Sequence, residues 1–317
     1  MLAKQIQPDY DGKLPVVITI YKTSCQIPHY HKNTFEMIMC LKGSATIYSM
    51  HKKHVLYPGD IIQTDMYDMH TVSSDTDNLI VSFHFDLNHP LFAGKGYNLL
   101  YYICSSDETD PKHILDINRI RLLLLALLSC YINNRNDNRI NDFAEKILAI
   151  IRQRFQYYNH INVDETMYPP EMMDRFERIM AFMLEHYSKK ITMHDICTNE
   201  HISYNYLSSF FKESSLKTFR NFLHEIRVYH SEHLLLCNPD IPVPEIGYMV
   251  GFSDPKFFYR EFKKKHGHTP HQHRIWYRKY NERVEADTIL DVNKHIDEVE
   301  DCITDLFAHI TYMIECK

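Results

Sequence analysis

No two of the eight cysteines stand at Cys-x-x-Cys spacing. That excludes a zinc ribbon and reads as reduced, mostly buried thiols rather than a disulfide framework. The opening residues, MLAKQIQPDYDG, hold no apolar stretch of the kind a signal peptide needs. The longest apolar run, around Leu122–Leu128, is far shorter than the roughly 20 residues that cross a bilayer. A cytoplasmic protein with no membrane partner is the expectation. Positive charge is scarce too, with 35 Lys/Arg against 41 Asp/Glu for a net of −6. The deficit is unevenly placed. Residues 170–280 hold 16 Lys/Arg against 13 Asp/Glu, whereas residues 281–317 hold 3 against 10. Affinity for phosphate follows the local cluster rather than the total, so the acidic balance does not exclude a nucleic-acid partner. At 317 residues, about two domains with appendages are expected.

What is present is concentrated in residues 241–274, IPVPEIGYMVGFSDPKFFYREFKKKHGHTPHQHR. Ile246, Met249 and Val250 recur at helical spacing and predict a buried stripe. Gly251 suits a tight turn with a left-handed backbone. Ser253 or Asp254 can cap the next helix, with Pro255 in its first turn. There Phe258 and Phe262 are four apart and predict core. Lys256, Tyr259, Arg260 and Lys263 then project outward, where they can meet base edges or phosphates. Thr269-Pro270 opens a further helix carrying Arg274 and Arg278, which join Lys264, Lys265 and Lys279 in a basic cluster. Three lysines alone would be a solvated face; the whole pattern is a helix-turn-helix.

The pattern occurs twice. Residues 191–220, ITMHDICTNEHISYNYLSSFFKESSLKTFR, align with it at an offset of about fifty, which usually reports one structural unit used twice. Ile191, Asp195, Ile196 and Ser203 match Ile241, Glu245, Ile246 and Ser253. Leu207, Phe211, Lys212 and Thr218 match Phe258, Phe262, Lys263 and Thr269, one residue further on. Outward positions in this copy are Tyr204, Asn205, Ser208, Ser209 and Lys212. Asn and Ser can read bases, whereas Lys more often holds a phosphate. Residues 218–236 form an apolar-periodic helix between the copies. This layout resembles the AraC/XylS family of bacterial transcription regulators. The resemblance implies two rigidly linked helix-turn-helix units entering successive major grooves of double-stranded DNA, roughly 10 bp apart. The sequence departs from the family where Leu216 replaces a glycine and Cys197 and Ser231 replace alanines. Gly247 takes another alanine position, which should soften its helix by roughly 1 kcal/mol.

Residues 14–86 have a different character. Short β-rich runs (VVITIYK, EMIMCL, SATIYSM, HVLY, DIIQT, LIVSFHF) alternate with turn signals at Lys42-Gly43 and Pro58-Gly59-Asp60, which predicts a β-sandwich or barrel. Within them His29-x-His31-x4-Glu36-x6-Gly43, and Pro58-Gly59-Asp60 followed by His70, resemble the two cupin motifs. The resemblance implies a small effector-sensing barrel. Glu36 would accept from an effector's hydroxyl or amino groups, and His31 and His70 could donate or accept. A second reading makes His29, His31, Glu36 and His70 the ligands of a first-row metal ion, as in metal-binding cupins. Asp65 and Tyr67 depart from that form, standing where proline and glycine are usual. A third reading has these residues simply packing at strand ends. Tyr48, Phe83 and Phe85 are candidates to flank a ring or sugar face, with strand parity left open.

Residues 114–158 carry two apolar-periodic helices, ILDINRIRLLLLALLSCYI and INDFAEKILAIIRQRF. The resemblance gives them a dimer contact; packing against the barrel meets the same leucine surplus. Beyond Tyr280, positions Ile289, Val292, Ile296, Val299, Ile303, Leu306, Ile310 and Met313 alternate steps of three and four. That is an a/d seam for a helix that docks on its own chain or pairs with a second copy. Docked near the recognition helices, its acidic face would lower DNA affinity.

The expectation is an α+β chain in four parts. These are an N-terminal cupin-like β-barrel (1–100), a helical linker or dimerisation segment (101–168), an all-α domain with two helix-turn-helix motifs (169–281) and an acidic amphipathic C-terminal helix (282–317). The implied partners are double-stranded DNA, a small-molecule effector (a carbohydrate or related polar metabolite) and a second copy in a homodimer; RNA polymerase is a further partner the resemblance admits. No catalytic set, metal or other cofactor is expected. Two other readings stay open: a metal-dependent cupin enzyme fused to helical domains, and a constitutive DNA-binding protein without effector.

Overall fold

β-Branched and aromatic runs broken by turns build the first part of the chain as strands: β1 (Lys4–Gln5), β2 (Val16–Lys22), β3 (His29–Tyr30), β4 (Thr34–Lys42), β5 (Ala45–Ser49), β6 (Lys52–Leu56), β7 (Ile61–Thr64), β8 (His70–Ser73) and β9 (Leu79–Asp86). The structure is a computed structural model, and it describes residues 3–49, 52–64, 66, 68–93, 102–107, 110–155, 170–215, 218–285, 288–291 and 294–315. One more strand, β10 (Thr288–Ile289), arrives from near the end of the chain. Together they make two five-stranded sheets, ordered β1-β3-β8-β5-β6 and β10-β2-β9-β4-β7.

Register decides which side chains meet. On β4 and β9, Glu36 lies opposite His84, Ile38 opposite Ser82 and Cys40 opposite Ile80. Ile38, Cys40 and Ile80 share a core with Ala45, Ile47, Leu56 and Val72 of the other sheet, so this face looks between the sheets. Phe35, Met37, Phe83 and Phe85 alternate to the opposite face, where Phe35 meets Tyr102 and Phe85 meets Phe92. Strand β4 is therefore buried on both sides from Thr34 to Leu41.

Helices α1 (Ile114–Asn133) and α2 (Arg139–Arg154) pack on each other, and α10 (Ile296–Glu315) lies against α1 and β4. Its buried residues are Val299, Ile303, Leu306 and Ile310. The seam read from the sequence is thus helical only from Ile296. Ile289 sits in β10 opposite Tyr21, and Val292 falls outside the described residues.

The chain divides into two compact units, Gln5–Gln156 with Arg283–Lys317, and Tyr157–Glu282 with Met1–Lys4. This departs from the expected four parts. Neither α1–α2 nor the acidic tail stands alone, because their apolar faces complete the sheet-bearing unit. The tail's docking site within its own unit is α1 and β4.

The second unit holds α3 (Pro170–His186), α4 (Met193–Glu200), α5 (Tyr204–Ser215), α6 (Phe219–Cys237), α7 (Val243–Met249), α8 (Pro255–His266) and α9 (Pro270–Asn281). Their starts follow the local chemistry. Thr192 with Asp195 and Thr269 with Gln272 form capping boxes, and Asp254 accepts from the Lys256 amide ahead of Pro255. Val228, Leu235, Val243, Ile246, Val250, Phe252, Phe258 and Phe262 form the core around α7 and α8. Met249, expected in that stripe, is 44% exposed. Gly247 is required by packing: a Cβ there would stand 2.9 Å from Phe258 Cδ1, so its helix accepts a weak former in return for close approach. Gly251 takes φ +92°, as a tight turn needs. Fifty residues earlier His201 holds the equivalent bend at φ 53°, a conformation histidine tolerates better than most side chains. Leu216 lies outside the described residues.

Candidate nucleic-acid interface and buried polar cluster

Helix α5 buries Leu207, Phe210 and Phe211, which leaves Tyr204, Asn205, Ser209 and Lys212 exposed and Ser208 half-buried. Helix α8 buries Phe258 and Phe262, leaving Lys256, Arg260 and Lys263 exposed. Tyr259 was expected on this outward face; it is half-buried against the core, since its ring lies beside Phe258. A cleft of about 970 Å³ opens in this unit, lined by Tyr204, Ser208 and Lys212 of α5 and by Phe257 and Arg260 of α8. Asn205, Ser209, Lys256 and Lys263 lie outside its lining.

Arg260 is poised rather than free. Its Nη2 is 2.7 Å from Glu261 Oε1, and its guanidinium lies 5.1 Å from the Phe257 ring centroid. Both contacts restrain its guanidinium, a planar fork of the kind that can meet guanine or phosphate. Phe257 and Arg220, which also lines the cleft, were missed in the sequence. The signal for Phe257 was the pair Phe257-Phe258, because adjacent residues on a helix cannot both face one core.

Arg274, expected in the basic cluster, is a structural clamp. It is buried, and it donates to the carbonyls of Leu235 at 3.2 Å and Ile241 at 3.1 Å, tying α9 to the α6–α7 connection. Burial lowers its pKa. Arg227 does the same for the segment after α3, donating to Tyr187 O at 2.8 Å and Lys189 O at 2.9 Å.

In the sheet-bearing unit His29, His31, Glu36 and His70 come together, and His84 joins them. All five are buried. Thr64 Oγ1 donates to Glu36 Oε2 at 2.9 Å; His70 Nε2 is 2.9 Å and His31 Nε2 3.4 Å from the same oxygen. His84 Nε2 is 3.3 Å from Oε1. Burial pushes the Glu36 carboxyl up, but the attraction of His70, His31 and His84 outweighs it and holds Glu36 well below the usual carboxylate range. Burial likewise pulls His70 down, and Glu36 more than restores it, so its pKa is raised. Burial dominates at His29 and His31 and lowers both. Glu36 and His70 thus stabilise each other's charged forms, while burial disfavours the charged forms of His29 and His31.

Ligand atoms of His29, His31 and His70 lie within 4.8 Å of one another, as do those of His31, Glu36 and His84, so the donor set fits a first-row ion. His84 Nδ1 is buried without a hydrogen-bond partner. Tyr48, Phe83 and Phe85 do not face the cluster, because each alternates with a residue of the inter-sheet face (Ile47, Ser82 and His84). The same alternation was the available signal for His84.

Comparison with known proteins adds to this geometry. A family model described as a helix-turn-helix domain matches residues 196–275, from α4 into α9. The chain is 26% identical over 164 residues to the lactose operon transcription activator of Staphylococcus xylosus, covering 52% of this chain and 54% of that protein. It is 24% identical over 299 residues to the uncharacterized HTH-type transcriptional regulator YdeC of Bacillus subtilis, covering 88% and 96%. To the HTH-type transcriptional activator RhaR of Salmonella schwarzengrund it is 21% identical over 257 residues, covering 77% and 86%. It thus spans about half the length of the first relative and most of the other two. Among solved structures it is similar to ToxT from Vibrio cholerae, with a TM-score of 0.42 and 15% identity over 82% of this chain and 97% of that one. Among the described residues no helix is long and apolar enough to cross a membrane.

Proposed function

We propose, from the premise that this chain carries an AraC-type helix-turn-helix domain, that it regulates transcription by binding double-stranded DNA. The observation that carries the reading is the pairing of two helix faces in one unit. Tyr204, Asn205, Ser208, Ser209 and Lys212 on α5 and Lys256, Arg260 and Lys263 on α8 supply base-reading and phosphate-holding groups, within the span the family model matches. Arg260 has the fork to read a guanine edge, and Lys212 and Lys263 hold phosphates. Tyr259 supports α8 from behind.

The sheet-bearing unit is the sensor in this proposal. A small polar effector with hydroxyl or amino donors, a carbohydrate or related metabolite, engages Glu36 in place of part of its histidine shell, with His31 and His70 as partners. The buried Nδ1 of His84 supports a polar occupant beside Glu36. Effector binding shifts DNA affinity only by its differential affinity for two states of the protein. A homodimer through α1–α2 and contact with RNA polymerase complete the model, and no catalytic step is assigned.

Binding of the full chain to fragments from its own promoter region, across a salt series and with Arg260→Ala alongside, tests the reading. Sequence-selective binding that the substitution weakens by about 1–3 kcal/mol supports a base contact. Weak binding, equal on all fragments and insensitive to Arg260, overturns it.

A further inference from the structure

A second cluster of ligand-type side chains lies in the helical unit. Glu232 of α6, His266 at the end of α8 and His273 of α9 each offer one ligand atom, and those atoms lie within 4.8 Å of one another. All three residues are buried. His273 is held on both ring nitrogens, with Nε2 2.7 Å from Glu232 Oε1 and Nδ1 2.6 Å from His268 Nε2. The His266 ring is stacked on Phe262, 3.9 Å between centroids, which fixes where it points.

We propose that Glu232, His266 and His273 bind a divalent cation of the zinc class, pinning α6, α8 and α9 to one another. Two imidazoles and one carboxylate are a donor set that zinc accepts, and a solvent molecule completes four-coordination. Bonds of about 2.0–2.2 Å in a tetrahedral shell place ligand atoms roughly 3.3 Å apart. The three ligand atoms already lie within 4.8 Å of one another, and a cation would draw them to that spacing. With the cation on Nε2, His273 carries its proton on Nδ1 and donates it to His268 Nε2. That is the outer hydrogen bond a ligating histidine ordinarily makes. The cation also gives the buried Glu232 carboxylate a full positive partner, which a desolvated carboxylate requires.

The consequence falls on α8. Its exposed face carries Lys256, Arg260 and Lys263, and its last turn ends at Gly267, where nothing else lies within 4 Å of a would-be side chain. A cation at His266 fixes that end against α6 and α9. The site stands on this geometry alone and does not rest on the DNA-binding reading.

The test uses the full chain, stripped with a chelator, reloaded with zinc or with cobalt(II) as a visible probe, and desalted before metal analysis. The buried cluster of the sheet-bearing unit also offers two ligand triads that share His31, so the background is His31→Gln with His70→Gln, which breaks both. Expected are one retained cation per chain and cobalt absorption of a low-coordinate site. Adding Glu232→Gln or His266→Gln should cut affinity at least tenfold and abolish the metal-induced rise in melting temperature. His266→Cys keeps a ligand at the position, and should restore binding with a new thiolate-to-cobalt charge-transfer band. A folded background protein that retains no cation at micromolar free zinc overturns the proposal. So does unchanged occupancy in the folded Glu232→Gln and His266→Gln chains. If those two fail to fold, a cobalt-loaded His266→Cys chain without the charge-transfer band overturns it instead.

Discussion

Replacing Gly251 by alanine should loosen the turn between α7 and α8 more than any other single methyl added to the helical unit. At φ +92° an L side chain is strained, which costs about 1–2 kcal/mol. The new Cβ would also stand 2.8 Å from the carbonyl oxygens of both Tyr187 and Ser188. Backbone must move, and the Tyr187 carbonyl is the one that accepts from Arg227 at 2.8 Å. Weakening that charge-assisted bond costs a further ~1.5–3 kcal/mol. The total is about 2.5–5 kcal/mol. For a unit of this size each kcal/mol moves the melting temperature by roughly 3–6 °C, so a drop of roughly 8–30 °C is expected. Gly267→Ala is the control. Its φ of +74° brings the same strain, but no atom lies within 4 Å, so only the first cost of about 1–2 kcal/mol applies. Calorimetry on the full chain resolves the transition of the helical unit in each variant. If the two variants melt together, contact with the 187–188 carbonyls carries no weight and the reasoning fails.

Other outcomes follow from the same geometry. Arg274→Ala should destabilise the helical unit while leaving the salt dependence of DNA binding unchanged, whereas Lys212→Ala should lower the slope of log K against log salt by about one with little change in melting; the reverse pattern would return Arg274 to the interface. In the acidic window below the ordinary imidazole value of about 6.5, His29 and His31 take up protons in the unfolded chain before the folded one, because burial lowers both. Stability of the sheet-bearing unit should therefore fall as pH falls through that window. His70, with its raised pKa, is protonated in both states there and adds no slope; its contribution is lost instead as pH rises above its ordinary value. Melting curves across pH, with His29→Gln and His31→Gln flattening the acid limb, check the sign. Leu306→Ala should cost the same unit about 2–5 kcal/mol, because this buried residue packs between α10 and the Gly59 turn; a shift under 0.5 kcal/mol in urea unfolding would mean α10 is not docked.

Much of this was legible in the residues because local chemistry and global fold agree. Asp254, Pro255 and Gly251 announced the turn and the start of α8, and Phe258 and Phe262 announced its core. The six β-rich runs became strands, while two-residue elements such as β3 and β10 left no periodicity to read. Arg274 was misplaced for a different reason. A basic residue one turn from Arg278 looks like surface until the α6–α7 carbonyls are known to lie beneath it. His84 was hidden by parity, and Tyr259 by a neighbour that pulls it inward. The acidic tail was seen as a helix with an apolar seam. Its partner surface, α1 and β4, comes from residues more than 160 positions away, and no local pattern reports that.

The order in which the chain emerges during synthesis gives the tail a further meaning. The sheet-bearing unit begins at Gln5, yet β10 and α10, which pair with β2 and cover β4, lie beyond Arg283. The helical unit is fully made before they appear. Domains generally fold as units as they leave the ribosome, so a segment made after the helical unit closes sheets made before it. Until then the underside of β4 and the edge of β2 remain uncovered, a target for chaperones and for aggregation. A chain cut short between Arg283 and Thr288 would hold a whole helical unit and a sheet-bearing unit left open.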